Sequence, residues 1–165
     1  KAARKLTAIF SNPGINWDDI ASIREWTKLP SYLKGILRAD DALKAASLGI
    51  DGVIVSNHGG RQIDGAISST EALPSIVSAA NGNMEVWLDS GIRSGSDVFK
   101  CIALGATGVM IGRPYAMALA CNGEQGIIDC INNIMSELEL NMALSGCHTI
   151  NDLNSTLVSH PWKTT

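Results

Sequence analysis

At 165 residues, with 45% hydrophobic and 18% charged side chains, the chain has the size and composition of one ordinary folded domain and is expected to be soluble. A net charge of -3, a pI of about 5.5 and a mean hydropathy of +0.12, with no basic run, give no footprint for nucleic acid or an anionic membrane surface. The expected partners are therefore small molecules. No apolar stretch approaches the ~18 residues needed to span a bilayer, and Lys1 to Phe10 lacks a secretory apolar core. Lys1 rather than methionine opens the sequence, which is read as the loss of a preceding stretch. Cys101, Cys121, Cys130 and Cys147 match neither zinc-site nor disulfide-frame spacing, so they are expected as reduced thiols in apolar surroundings and no metal is expected.

In chain order, Asn12-Pro13-Gly14 reads as a turn, and Asn16 followed by Asp18 and Asp19 as a helix start with acidic residues in the first turn. Ile20, Ile23 and Trp26 recur at helical spacing before Pro30. Tyr32 to Leu37 reads as a strand, and Asp40-Asp41 open a helix running to Gly49. Residues 52–56 form a short, β-branched strand bounded by glycine. A helix from Ser69 to Ala80 closes at Asn81-Gly82, followed by a strand from Met84 to Asp89. Gly95 to Leu104 reads as a helix, Gly108 to Gly112 as a strand, and about Glu124 to Met142 as a long amphipathic helix ending at Gly146.

This βα alternation implies one α/β domain over residues 1–165 with a parallel sheet and right-handed crossovers. Periodicity fits both an open doubly wound sheet and half of an eight-stranded barrel. Polar groups recur at the strand ends: Lys34 in the first strand, Ser56 and His58 after the second, Asp89 at the end of the third, Arg113 after the fourth. Parallel α/β folds assemble active sites in this way.

Ser56-Asn57-His58-Gly59-Gly60-Arg61-Gln62 carries the most specific chemistry. Histidine ordinarily titrates near neutrality and arginine clamps carboxylates through two parallel hydrogen bonds, so His58 and Arg61 suit an anionic substrate that must lose a proton. The flanking glycines allow a sharp turn. Two further stretches, Asp89-Ser90-Gly91-Ile92-Arg93-Ser94-Gly95-Ser96 and Gly112-Arg113-Pro114, each join a strand to a helix with glycine and arginine, as a phosphate cradle does. His148 and His160 are expected at the surface, and Trp17, Trp26, Trp87 and Trp162 as packing or rim residues.

Together with Lys34-Gly35-Ile36-Leu37, Leu104-Gly105-Ala106 and Met142 to Cys147, these motifs closely resemble the FMN-dependent 2-hydroxy-acid oxidases and dehydrogenases of the glycolate oxidase type, over about residues 16–155. The resemblance implies strands five to eight, the carboxyl half, of a (β/α)8 TIM barrel with a C-terminal helical extension. It implies FMN as cofactor, with Lys34 at the N1/O2 edge of the flavin, Ser56 on the ring and Asp89 on a ribityl hydroxyl. Ser90, Gly91, Arg93, Gly112 and Arg113 would surround the phosphate. His58 would be the catalytic base and Arg61 the substrate clamp. The implied reaction is oxidation of an L-2-hydroxy acid to the 2-oxo acid, with dioxygen as acceptor. A homo-oligomer in the peroxisome is implied for the full-length protein, although Pro161 to Thr165 is not a Ser-Lys-Leu-type address.

Ser90 stands where the resembled family usually has glycine. The family's histidine-orienting aspartate, substrate-binding tyrosines and second arginine come from a first half absent from this chain, so the chain alone is expected to be inactive. The alternatives are another FMN barrel oxidoreductase, which leaves the histidine-arginine motif unexplained, and a non-catalytic half-barrel that binds FMN or phosphate.

Overall fold

The computed structural model describes Asn12 and residues 14–159. The readings made on Lys1 to Phe10, Pro13, His160, Trp162 and the terminal segment lie outside the described residues.

Helix α1 (Trp17–Trp26) leads to β1 (Tyr32–Ile36), α2 (Ala39–Ser47), β2 (Gly52–Val55), α3 (Ser69–Ala80), β3 (Glu85–Leu88), α4 (Gly95–Ala103), β4 (Gly108–Val109) and α5 (Arg113–Leu144). The 4-stranded sheet is parallel throughout, in the order β1-β2-β3-β4. Each new strand joins the same growing edge. A doubly wound sheet needs a point where strand order reverses, and the described residues contain none.

Side-chain alternation divides the sheet into two unlike faces. Val53, Val55 and Leu88 are 0% exposed and Val86 3%, sealed among α2, α3 and α4 with Ala42, Ala45, Leu73 and Ile76. The opposite face carries Tyr32, Lys34, Ile54, Glu85, Trp87 and Asp89, none of them buried. Gly52 and Gly108 make room on it, since a Cβ at either would run into the ring of Tyr32 or Trp87.

The helix starts follow their caps. Asn16 accepts from the Asp18 N–H at 2.8 Å while Asp19 accepts from the Asn16 N–H at 2.9 Å. Ser94 and Asp97 cap α4 in the same reciprocal manner, while at α3 only the Ser68 side chain accepts, from the Glu71 N–H. At α4 there is a tertiary cap as well, because Glu137 on α5 accepts the Gly95 N–H at 2.7 Å. Gly95 lies so close to α5 that any Cβ would collide with the backbone of Ile134 and Leu138.

Several expectations need correction. The helix expected from about Glu124 is preceded by a helical run from Arg113 that was not expected, because Pro114 fits a first helical turn and nothing before Asn122 breaks the run. Asn122 and Gly123 (φ 57) then leave helical geometry and divide α5 in two. The strand expected over Gly108 to Gly112 pairs only at Gly108 and Val109. Ile23 and Trp26 recur at helical spacing without being covered: no residue of α1 is buried, and Trp26 is 79% exposed. The helix is moored by Trp17 and Ile20, which pack partly buried against the core, and by Arg24, which donates to the Gly49 carbonyl at 2.8 Å and pairs with Asp51 at 3.3 Å. Cys101 and Cys147 are buried, and burial pushes the Cys101 thiol up to about 12, but Cys121 is exposed rather than in apolar surroundings. Among the described residues no helix is long and apolar enough to cross a membrane.

Candidate active site

The carboxyl ends of the strands bring Lys34, Ser56 and Asp89 together. Lys34 Nζ lies 2.7 Å from Asp89 Oδ2 and donates to Ser56 Oγ at 3.0 Å. Ser56, only 1% exposed, also accepts the His58 N–H at 3.1 Å. Burial pushes the Asp89 carboxyl up, but hydrogen bonds from Lys34, Ser56 and Ser90 outweigh it and hold the group below the ordinary carboxylate range. The folded state therefore releases the Asp89 proton more readily than the unfolded chain. The stabilisation is complete above the unfolded value of about 3.9 and is lost as pH falls through the lower folded value. Asp89→Asn is expected to reduce the melting temperature at neutral pH and to flatten its fall on acidification below about pH 4. Parallel acid limbs for the two proteins in a pH series of melts would disprove the assignment.

Past β2 the backbone takes an uncommon path. His58 (φ 55), Gly59 (φ 70) and Gly60 (φ 70) are all left-handed, a conformation that costs a non-glycine residue roughly 1–2 kcal/mol. Side chains from elsewhere hold the turn. The Asn57 side chain accepts the Gly60 N–H at 3.2 Å, and the buried Ser69 accepts the Asn57 N–H at 3.1 Å. The Gly59 N–H donates to Ser90 Oγ at 2.9 Å and its carbonyl accepts from Arg113 Nη2 at 2.7 Å. A Cβ on Gly59 would sit 2.6 Å from that guanidinium nitrogen, so a side chain here would displace the tip of Arg113 and take up left-handed strain as well.

Every site residue expected from the sequence except Ser56 lines one open cavity of about 310 Å³, and Ser56 lies directly beneath it, bonded to Lys34. Lys34, Arg61, Arg93 and Arg113 place four cations there against a single carboxylate, Asp89, in a chain whose net charge is -3. Arg61 and Arg93 make no ion pair among the described residues. Gly91 (φ 97) and Gly112 leave open space where a Cβ would stand, and Gly112 precedes α5 without any side-chain cap, so the first N–H groups of that helix are unclaimed by a capping side chain. The arrangement can bind more than one anionic group beside a proton acceptor.

Sequence reasoning missed three supporting residues, Asn57, Ser69 and Gly35, and missed that Ser90, expected at the phosphate, also holds the histidine turn. Asn57 and Ser69 hold the histidine turn, and no spacing rule links them. Ser90 reaches across to Gly59. Gly35, left-handed at φ 98 where the β1–β2 register shifts, would place a Cβ 3.1 Å from His58 Nε2. Glycine within a strand is a signal for close approach and could have identified this last one.

Comparison with known proteins identifies the family. A family model described as FMN-dependent dehydrogenase matches residues 1–160. The chain belongs to that family. Among curated members, it is 48% identical over 147 residues to 2-hydroxyacid oxidase 1 of Mus musculus, covering 89% of this chain and 40% of the relative. L-lactate dehydrogenase of Pectobacterium atrosepticum is 49% identical over 150 residues, covering 91% and 39% respectively. The peroxisomal (S)-2-hydroxyacid oxidase of Arabidopsis thaliana is 48% identical over 152 residues, covering 92% and 40%. Among solved structures, a mandelate oxidase mutant with a monooxide FMN adduct superposes with a TM-score of 0.82 at 44% identity, covering 87% of this chain and 46% of that one. The chain thus spans about 40% of the length of the curated relatives it matches.

Proposed function

We propose that the chain forms strands five to eight of a (β/α)8 barrel, as a single partial domain, in an FMN-dependent (S)-2-hydroxy-acid oxidase. The carrying observation is the cavity in which four cations face one carboxylate beside His58. The uncovered sheet face, with Tyr32, Ile54 and Trp87 on it, is the side on which the rest of such a barrel would lie.

The residues fit FMN. Arg93, Arg113, the open backbone at Gly91 and Gly112, and the backbone at Ser90 would hold the phosphate, since an uncapped helix start and guanidinium groups together favour a dianion. Asp89 would accept from a ribityl hydroxyl, while Ser56 and Lys34 would meet the ring, with Lys34 offsetting negative charge on it. FMN supplies the two-electron acceptor for the reaction. Arg61 clamps the substrate carboxylate through paired hydrogen bonds, and its lack of an ion-pair partner among the described residues leaves the guanidinium available. His58 takes the proton of the substrate hydroxyl. Its ring rests against Gly35 and its backbone is fixed by Ser56, so the base is held by the strands rather than by a free loop. The substrate is a small L-2-hydroxy acid such as lactate or glycolate, and the relatives named as oxidases support dioxygen as the final acceptor.

An absorbance spectrum of the full-length protein reconstituted with FMN tests this reading. Visible flavin bands that bleach anaerobically on adding L-lactate or glycolate, and return with air, are the expected result. Bound flavin that no 2-hydroxy acid bleaches would refute it.

A further inference from the structure

We propose that Ser90 is a positioning residue for His58, tying the turn that carries the base to the loop after β3; this rests on the reading of His58 and the anion cradle given above. Ser90 is left-handed at φ 75, where glycine would be conformationally cheaper, so what serine adds is its hydroxyl. That hydroxyl has a single proton, which it donates to Asp89 Oδ1 at 2.7 Å. Its lone pairs then accept the Gly59 N–H at 2.9 Å. The direction of the relay is set at its far end, where Lys34 keeps Asp89 ionised and therefore accepting. Because Arg113 holds the Gly59 carbonyl at 2.7 Å, both polar groups of the residue after His58 are anchored by side chains of the cradle. Neither anchor depends on a strand ladder. Releasing the N–H lets the peptide after His58 rotate, and a misplacement of about 1 Å near the chemistry costs on the order of a hundredfold in rate.

The test compares wild type with Ser90→Ala and Ser90→Gly. The alanine variant keeps the left-handed strain and loses the hydroxyl. The glycine variant loses the hydroxyl and relieves the strain, so it carries the experiment if the alanine variant fails to fold. Amide exchange at Gly59, read by NMR on glycine-labelled 15N protein, is expected to quicken about two- to tenfold in both variants, the worth of one hydrogen bond. In the full-length protein with FMN, anaerobic flavin reduction by L-lactate is expected to slow about ten- to a hundredfold. The substrate KM in the glycine variant should stay within about twofold of wild type, because the Ser90 hydroxyl bonds Asp89 and Gly59 and not Arg61, the proposed carboxylate clamp. Gly59 exchange at the wild-type rate in the variants, or reduction within about twofold of wild type, overturns the proposal. Should wild type itself take up no FMN, the reading of the cradle fails, and Gly59 exchange alone decides whether Ser90 holds the turn.

Discussion

Replacing His58 with glutamine in the full-length protein is expected to leave FMN bound while slowing flavin reduction by a 2-hydroxy acid about a hundred- to ten-thousandfold, the usual worth of a positioned base. Glutamine retains length and hydrogen-bonding capacity but cannot take the proton. The turn should survive the change, because its anchors are Ser56 Oγ, Ser90 Oγ, Asn57 and Arg113, none of which contacts the imidazole for its own placement. Arg61→Lys provides the contrast. A point charge replaces a planar fork, so substrate affinity should fall while the limiting reduction rate changes less. Stopped-flow reduction of the His58 variant at the wild-type rate would remove His58 from the mechanism.

Arg113→Met is expected to weaken FMN affinity about ten- to a hundredfold, since one charge-assisted contact to phosphate is worth roughly 1.5 to 3 kcal/mol. Methionine preserves much of the apolar stem, so the fold around α5 should persist. The guanidinium also holds the Gly59 carbonyl, and the same variant should therefore loosen the histidine turn. A fluorescence titration giving an unchanged FMN affinity would remove Arg113 from the phosphate site.

Much of this was legible in the sequence because the signals are local. Asn16 with Asp18 and Asp19, the Asn81-Gly82 closure and the β-branched run at Val53 to Val55 each announce an element by short-range chemistry, and each stands where it was expected. The polar residues at the strand ends also converge as expected, because parallel strands deliver their carboxyl ends to one side of the sheet.

What was hidden is chiefly long-range or left-handed. Lys34 on β1 and Asp89 just past the end of β3 are separated by β2, so their ion pair exists only once the sheet has formed. Ser90 looks like a glycine substitute in sequence, and only its contact with Gly59 shows why a side chain is tolerated there. The break at Asn122 and Gly123 stands where a helix start at about Glu124 puts it, but the helical run before it, from Arg113, was hidden, and only the folded chain shows Gly126 seated against Ala118. Trp26 fits an amphipathic stripe, but helical spacing does not reveal whether anything packs against it.

The cationic cavity at the carboxyl ends of the strands is the proposed FMN site. The most direct measurement is a titration of the 15N-labelled chain with FMN, followed by amide chemical shifts. Saturable shifts are expected at Ser90, Gly91, Arg93, Gly112 and Arg113, with Gly59 moving alongside them through its two anchors. Shifts confined to the opposite end of the sheet around Asp51 and Glu85, with none at Gly91 or Gly112, would contradict it.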